Sequence, residues 1–258
     1  MSLDVVLPAG GRIGGEFAAE TGVEVKALVD VGGRTVLERT LDALRETGRV
    51  RRAVVIGPQE VRDHPCAELA DAALPEGGNS GPANILRGIE WLHEQDGGYA
   101  DRVLILTTDL PFLSPHAIST FVDSCPAGVD LCAPLVSKEA FEARFPGSGN
   151  QYVGLADGQW TLGCGFLVDP RAIAANRDHI EAVFAARKSQ IGMARLLGLG
   201  FIIRFLTHRL SVAHIEARCT NMLGCSANGV PQSPPELAFD MDDLAEYRYA
   251  QAGVERTQ

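Results

Sequence analysis

Residues 102–111 read Arg-Val-Leu-Ile-Leu-Thr-Thr-Asp-Leu-Pro, an uninterrupted apolar run that ends in polar residues and a proline. A short run of this kind is typical of a parallel strand that is covered by helices on both faces. Asp109 follows directly after the carboxyl end of this strand. Ligands of open α/β sheets bind at that edge, because loops and helix N-termini gather there. The run therefore predicts an α/β fold and marks Asp109 as a candidate site residue.

Apolar runs and amphipathic stretches alternate around this strand. Residues 3–7 predict a first strand, residues 36–44 a helix, and residues 53–56 a second strand. Pro82 is a favoured first-turn residue and predicts the start of another helix. The buried face of that helix is expected to carry Ile85, Leu86, Ile89 and Leu92. The pattern predicts a three-layer α/β/α, Rossmann-like domain with a mostly parallel sheet and helices on both faces.

The second half of the chain has a less regular pattern. The expected elements are strands at residues 130–135 and 163–168, a polar stretch at 146–158, a helical region at 180–197 and a loop at 227–235. The sequence contains no internal repeat and no clear linker. We therefore expect a single domain over residues 1–250 and a flexible C-terminal tail over residues 251–258.

The composition is that of an ordinary globular protein. Of 258 residues, 46% are hydrophobic and 22% are charged, which excludes a mainly disordered chain. The formal net charge of −10 disfavours nucleic acid and anionic membranes as partners. No apolar run reaches the roughly 18 residues of a membrane-spanning helix, and the N-terminus lacks the basic residues of a signal peptide. The six cysteines form no CxxC pair, so we expect reduced thiols in a cytoplasmic protein.

A glycine-rich turn follows the first strand, in the stretch Leu-Pro-Ala-Gly-Gly-Arg-Ile-Gly-Gly at residues 7–15. Glycines let backbone amides approach a phosphate group closely, although a plain tight turn is the alternative. The spacing matches neither GxGxxG nor GxxxxGK[ST]. Lys26 precedes the apolar run at residues 27–31 and is a candidate to neutralise a polyphosphate above the glycines. A solvated surface lysine is the alternative for Lys26.

Three carboxylates are candidates for metal binding. Asp109 is placed to hold Mg²⁺, which prefers one or two carboxylates together with water and phosphate oxygens. A turn or helix cap is the alternative role of Asp109. Asp240 and Asp242 are candidates for a second carboxylate ligand, and the acidic first turn of a final helix is the alternative. No GxSxG elbow is present, so hydrolase chemistry of that kind is disfavoured.

Taken in order, these stretches resemble the nucleotidyltransferases with a GT-A-type fold, most closely the MobA-like branch of molybdenum-cofactor guanylyl- and cytidylyltransferases. Residues 7–11 (LPAGG) are similar to the nucleotide loop of that family, and Lys26 with residues 33–37 (GRTVL) to its lysine and following helix. Residues 81–89 (GPANILRGI) are similar to the segment that borders base and ribose. Residues 108–113 (TDLPFL) resemble the metal-binding D-x-P motif, and residues 239–244 (FDMDDL) a shortened closing motif.

The resemblance implies Mg²⁺-dependent transfer of a nucleoside monophosphate from an NTP to a phosphate-bearing small-molecule acceptor, with release of pyrophosphate. It implies nucleotide contacts by Leu7, Pro8, Ala9, Gly10, Gly11, Arg12, Lys26, Gly81, Pro82 and Asn84. It also implies that Lys26 and Asp109 are catalytic. Asp109 and Asp240 would bind the metal, with Asp242 as the alternative to Asp240.

The sequence departs from the family pattern at two places. Gly15 occupies the position of an arginine in the family's loop, with Arg12 lying earlier, and the closing motif has lost its Thr-Pro spacing. The missing arginine motivates a second hypothesis, a non-catalytic or regulatory nucleotide-binding module. A nucleotide-sugar glycosyltransferase is a third hypothesis, although Thr107-Thr-Asp replaces the acidic DxD of such enzymes. The base, the acceptor, whose pocket is expected within residues 137–165, and a homo-oligomeric state stay open.

Overall fold

The computed structural model of the chain describes residues 3–78, 80–186 and 190–255. Within these residues, one mixed sheet of nine strands forms the centre of the molecule. The strand order is β3-β2-β1-β4-β8-β5-β7-β6, and β9 pairs with β5. The strands are β1 (Leu3–Pro8), β2 (Val50–Ile56), β3 (Ala72–Leu74), β4 (Val103–Leu106), β5 (Leu131–Ser137), β6 (Val153–Leu155), β7 (Gly158–Leu162), β8 (Gly165–Val168) and β9 (Ala227–Val230).

Helices cover both faces of this sheet. The helices are α1 (Gly15–Thr21), α2 (Val36–Glu46), α3 (Gln59–Arg62), α4 (Gly81–Asp96), α5 (Pro115–Ser124), α6 (Lys138–Arg144), α7 (Pro170–Ala175), α8 (Arg177–Ala186), α9 (Gln190–Leu197), α10 (Leu199–Leu206), α11 (Val212–Leu223) and α12 (Leu244–Glu255). The side chains of Ser80 and Ser114 cap α4 and α5, each of which has proline in its first turn. Among the described residues, none of the helices has the length and apolar character to cross a membrane.

The N-terminal half of the sheet is parallel and forms the three predicted layers. Strands β3, β2, β1 and β4 all run in the same direction. Along β1, Leu3, Val5 and Leu7 pack with α2 and α5, whereas Val6 packs with α4 on the opposite face. Helix α4 lies close to the sheet, since a Cβ atom at Gly88 would lie 2.5 Å from Val6 Cγ1. The predicted α/β fold class is confirmed.

The C-terminal half of the sheet is largely antiparallel. Strand β8 runs antiparallel to both β4 and β5, and β6 and β7 form a hairpin beside β5. The polar stretch at residues 146–158 therefore contains a strand. Residues 227–235 were predicted as a loop, but residues 227–230 form β9, parallel to β5. Their Ala-Asn-Gly-Val sequence has the composition of a loop, and pairing with β5 makes it a strand.

Two further segments refine the boundaries of the predicted helical regions. The helical spacing at residues 180–197 divides between α8 and α9, and residues 187–189 between them lie outside the described residues. Residues 251–255, which the sequence analysis assigned to a tail, form the end of α12. Residues 256–258 also lie outside the described residues. Helix α12 thus extends beyond residue 250.

An aromatic cluster fixes the C-terminal segment to the domain. Phe239 packs on Phe145 and Phe112, with ring centroids 4.8 Å and 4.9 Å apart, and Tyr249 of α12 packs against the same group. Aromatic pairs at such separations contribute about 0.5–1.5 kcal/mol each beyond their burial. The cluster therefore holds the residues that follow Phe239 beside the edge of the sheet where β4 ends.

Candidate active site

Three segments that are distant in sequence meet at one edge of the sheet. Strands β1 and β4 are parallel neighbours, so the residues that follow them lie side by side. The hydroxyl of Thr108 donates a hydrogen bond to the carbonyl of Pro8 at 3.3 Å. The backbone N–H of Met241 donates to the carbonyl of Asp109 at 3.0 Å. These bonds join the glycine-rich turn, the end of β4 and the C-terminal segment.

Lys26 lies beneath the glycine-rich turn and faces the carboxylates. Its backbone N–H donates to the carbonyl of Gly11 at 2.9 Å, and its Nζ lies 3.5 Å from Asp109 Oδ2 and forms an ion pair with Asp242. The side chains of Lys26 and Asp109 are 15% and 16% exposed. Burial opposes the lysine charge, but the hydrogen bond to Asp242 and the charge of Asp109 raise the pKa of Lys26 overall. Lys26 is therefore a fixed cation at the site.

Asp109, Asp240 and Asp242 form a carboxylate cluster. Each offers one oxygen, and these oxygens lie within 4.8 Å of one another. Burial raises the pKa of Asp240, and the charges of Asp109 and Asp242 raise it further. Asp109 Oδ1 is buried without a hydrogen-bond partner in the described part of the chain. Because a buried polar atom normally has a partner, and because hard divalent cations prefer such oxygens, the donor set suits a cation such as Mg²⁺.

At the start of α12, Asp243 and Glu246 accept the free backbone N–H groups, so Asp240 and Asp242 are not needed for this purpose. Glu246 Oε2 accepts hydrogen bonds from the backbone N–H groups of Asp242 and Asp243. Asp243 Oδ1 accepts in turn from the N–H groups of Ala245 and Glu246. Asp243 and Glu246 thus satisfy the N-terminus of the helix. The side chains of Asp240 and Asp242 are directed to the site instead.

The carboxylates and Lys26 lie at one end of a cavity of about 1040 Å³. The sequence-predicted residues that line the cavity are Pro8, Gly10, Gly11, Lys26, Gly81, Pro82, Asn84 and Asp109. Leu7 and Ala9 are fully buried in the core, so only their backbone is near the site. The guanidinium of Arg12 pairs with Glu60 at 2.8 Å on the surface, and the nucleotide contact of Arg12 stays a prediction.

The turn after β1 packs tightly against the segment before α4. A Cβ atom at position 10 would lie 2.3 Å from Glu76 Oε1, so a side chain there would displace the Glu76 carboxylate. Asn84 is buried, and its Oδ1 accepts a hydrogen bond from the backbone N–H of Gly77 at 2.9 Å. The sequence analysis missed Glu76 and Ser80, which also line the cavity. Ser80 carried a signal, since serine before Gly-Pro at a helix start is a typical N-cap, whereas Glu76 carried none.

The remaining part of the cavity is lined mostly by hydrophobic side chains, and we call it the apolar chamber. The sheet contributes Ile105, Leu131, Ala133, Leu135, Phe166 and Val168. Helices α8 and α11 contribute Ile180, Val183, Phe184, Val212, Ile215, Cys219 and Leu223. An acceptor pocket was expected within residues 137–165, and Leu155 and Leu162 of that range line the cavity. The other residues of the chamber lie outside that range, because they are spread over several elements.

Cys164 is a thiol that lies near the carboxylates. Burial raises its pKa, and the charges of Asp240 and Asp109 raise it further, so the thiol is neutral. All six cysteines are free, as predicted. A neutral thiol is a poor nucleophile, which agrees with a site that acts by binding and charge rather than by a protein nucleophile.

The chain is similar to several known proteins. A hypothetical transferase from Thermus thermophilus matches with a TM-score of 0.81 and 32% identity over 96% of this chain and 100% of that chain. A 2-C-methyl-D-erythritol 4-phosphate cytidylyltransferase, also from Thermus thermophilus, shares the fold, with a TM-score of 0.55 and 18% identity over 99% of this chain and 100% of that chain.

A curated relative of the same kind, the 2-C-methyl-D-erythritol 4-phosphate cytidylyltransferase from Rhodococcus jostii (strain RHA1), is 29% identical over 112 residues. That match spans 43% of this chain and 47% of the length of the relative. The model of the MobA-like NTP transferase domain matches residues 6–205, well over half of the chain. The protein therefore belongs to the MobA-like NTP transferase family.

Proposed function

We propose that the protein transfers a nucleoside monophosphate from an NTP to a phosphate-bearing small molecule, with release of pyrophosphate and with a requirement for Mg²⁺. The observation that carries this proposal is the convergence of Lys26, the carboxylate cluster and the glycine-rich turn at one end of a cavity. The name of the Rhodococcus relative specifies cytidylyl transfer to a phosphate-bearing acceptor, 2-C-methyl-D-erythritol 4-phosphate. That chemistry agrees with the proposal.

The reaction requires positioning and charge neutralisation rather than a nucleophile on the protein. An oxygen of the acceptor phosphate forms a bond to the α-phosphorus of the NTP. The bond between the α-phosphorus and the α,β-bridging oxygen breaks, and that oxygen leaves with pyrophosphate. Both reactants are anionic, so a site for this reaction needs fixed positive charge.

In this proposal, different residues of the chain bind the triphosphate, neutralise its charge and hold the metal ion. The backbone of Gly10 and Gly11 and the N-terminus of α4 face the triphosphate, where amides and the helix dipole favour anions. Lys26 places its charge beside the phosphates as charge rearranges in the transition state. Asp109, with Asp240 or Asp242, would hold Mg²⁺, which supplies charge neutralisation at the phosphate oxygens when bound.

The experiment is an assay of pyrophosphate release with each of the four NTPs, with Mg²⁺ or with EDTA, across a panel of phosphorylated acceptors. We expect one NTP to support release only with Mg²⁺. Asp109→Asn keeps the size of the side chain and removes its charge, and we expect a loss of about 10³-fold in turnover, within the range for a lost electrostatic contact.

Asp101→Asn is the matched control, because Asp101 lies on the surface, where its carboxylate is 3.9 Å from the guanidinium of Arg171. We expect this control to keep full activity. Thermal unfolding of both variants verifies that they are folded. Unchanged pyrophosphate release by Asp109→Asn would refute the assigned role of Asp109. Tight NTP binding without release for any acceptor would instead favour the regulatory nucleotide-binding module.

A further inference from the structure

The apolar chamber is too large to be a packing defect. Protein interiors are packed as densely as organic crystals, with few voids larger than a water molecule. The cavity measures about 1040 Å³, at the upper end of pockets that hold small-molecule ligands. A nucleotide that contacts Lys26 and the start of α4 occupies the polar end. The chamber extends beyond that end.

The floor of the chamber is one face of the antiparallel half of the sheet. Ile105 of β4 pairs with Phe166 of β8, and Val168 of β8 pairs with Leu131 of β5. Because side chains alternate along a strand, Leu131, Ala133 and Leu135 point to the same side. The floor is therefore a continuous apolar surface. It adjoins Thr107, which lines the cavity next to the carboxylates.

The roof of the chamber is formed by α8 and α11, which pack on each other, while α11 also packs on β9. All residues of these two helices are half-buried or exposed, although each helix has an apolar face directed at the sheet. The aromatic ring of Phe184 lies beside the start of α4, where a Cβ atom at Gly81 would be 3.2 Å from Phe184 Cζ. The roof thus begins at the nucleotide end, and apolar side chains of both helices line the cavity.

Polar groups on the chamber wall have partners within the protein. Glu216 Oε1 accepts a hydrogen bond from the backbone N–H of Gly229 at 2.8 Å. Asn228 Nδ2 donates to the carbonyl of Gly229 at 2.8 Å. Among the described residues that line the cavity, the fixed positive charge is that of Lys26, at the polar end. An occupant of the whole cavity is therefore charged at one end and apolar at the other.

We propose that the acceptor is an amphiphile whose phosphate lies beside Lys26 and whose apolar body fills the chamber between the sheet and helices α8 and α11. This assignment of the acceptor class rests on the proposed nucleotidyl transfer. It predicts that small polar phosphates are poor acceptors and that an alkyl or ring system attached to the phosphate improves binding.

The test uses ethyl, hexyl and decyl phosphate below their micelle concentrations, with binding to the full chain measured by titration calorimetry. Each buried methylene contributes about 0.8 kcal/mol, so hexyl phosphate should bind on the order of 100-fold more tightly than ethyl phosphate. Pyrophosphate release with Mg²⁺ and the four NTPs is measured with the same three compounds. We expect kcat/KM to rise in the same order.

Val183→Trp fills the chamber from α8, and Ala185→Trp places the same ring on the exposed face of that helix as a control. We expect Val183→Trp to reduce the difference between hexyl and ethyl phosphate to less than about tenfold, since the alkyl chain loses most of its buried methylenes. The control should keep the full difference. NTP-induced thermal stabilisation is measured for both variants, and its retention shows that each is folded with an intact nucleotide end.

The outcomes separate the two proposals. Binding that does not depend on chain length, or that Val183→Trp leaves unchanged, overturns the assignment of the chamber. In the second case the alkyl chain binds elsewhere, for example at the exposed Leu199 and Leu206 of α10. Chain-length-dependent binding without pyrophosphate release supports an amphiphile site and refutes nucleotidyl transfer. Release with small polar phosphates at the rate seen with decyl phosphate supports the transfer and refutes the amphiphile.

Discussion

The two ends of the cavity are constructed in opposite ways. The polar end is formed by short loops that follow parallel strands, and hydrogen bonds join its members, such as Thr108 to Pro8 and Met241 to Asp109. The chamber end is formed by antiparallel strands and by α8 and α11, whose apolar side chains line the cavity opposite the sheet. From this difference we expect the polar end to recognise charge. We expect the chamber end to recognise shape and hydrophobicity.

This contrast predicts that the two ends respond separately to mutation. The free-energy effects of two mutations are expected to add when the two sites share no partners. Lys26 contacts carboxylates, whereas Ala133 lies among the aliphatic residues of the chamber. A change at the polar end should therefore alter turnover and leave the preference for long alkyl chains intact. A change in the chamber should do the reverse.

Lys26→Met removes the positive charge of the polar end and has the largest expected effect after Asp109→Asn. Methionine keeps the length of the side chain, so the loss is mainly electrostatic, and we expect kcat/KM to fall by about 100-fold, as for other single contacts to a developing charge. The ratio of hexyl to ethyl phosphate binding should stay unchanged. Pyrophosphate release and calorimetry measure these two quantities in the same preparation.

Lys138→Met is the matched control, because Lys138 lies on the surface with Glu142 at 3.8 Å. Exposed pairs of this kind contribute about 0–1 kcal/mol, so activity should be unaffected. If Lys26→Met lowers activity no more than Lys138→Met does, then Lys26 is a structural partner of the carboxylates and the polar end does not act through its charge.

The positions of the glycine-rich turn and of Asp109 could be predicted because each directly follows a strand in the sequence. Asp109 directly follows a buried strand, and the glycines directly follow another, so strand periodicity and adjacency were sufficient to place them at one edge of the sheet. The ion pair of Arg12 with Glu60 was not predictable from sequence, because Glu60 is distant in the chain. Asp242 lies 216 residues from Lys26, and the aromatic packing around Phe239 and the hydrogen bond from Met241 to Asp109 bring them together.

The chamber could not be predicted for a different physical reason. The sequence around Ile105 or Phe166 has the same apolar pattern whether the side chain packs against a helix or lines a cavity. The distinction depends on how closely α8 and α11 approach the sheet, which no local pattern encodes. Strand β9 was missed for a related reason, since Ala227 to Val230 become a strand only through pairing with β5.

Ala133→Leu and Ala43→Leu compare the same substitution in the chamber and in the packed core. Ala43 of α2 is buried in the core, so extra methylenes there should lower the free energy of unfolding by about 1–3 kcal/mol. Ala133 borders the chamber, so leucine there fills empty space and should change that free energy by less than about 1 kcal/mol. Urea denaturation measures both. Equal destabilisation by the two substitutions would show that the chamber is as closely packed as the core.

Asp240→Asn has the smallest expected effect and tests the polar end through stability. Because burial and the charges of Asp109 and Asp242 raise the pKa of Asp240, the folded state binds its proton more tightly than the unfolded state. Stability is therefore lost as pH rises from about 3.9 through the folded pKa. In EDTA at pH 7, the asparagine variant should unfold at a higher temperature, by about 2–4 °C for each kcal/mol of relief. The advantage should shrink as the pH is lowered towards about 4, near the unfolded pKa.

Adding Mg²⁺ should stabilise the wild-type protein relative to Asp240→Asn. It should raise the wild-type Tm more than that of Asp240→Asn, because a bound cation compensates the carboxylate charge and stabilises only the form that holds it. Thermal unfolding with and without Mg²⁺ measures both shifts. If Asp240→Asn is less stable than wild type at neutral pH in EDTA, the Asp240 carboxylate has a stabilising partner within the protein. The carboxylate cluster would then be stable without a cation.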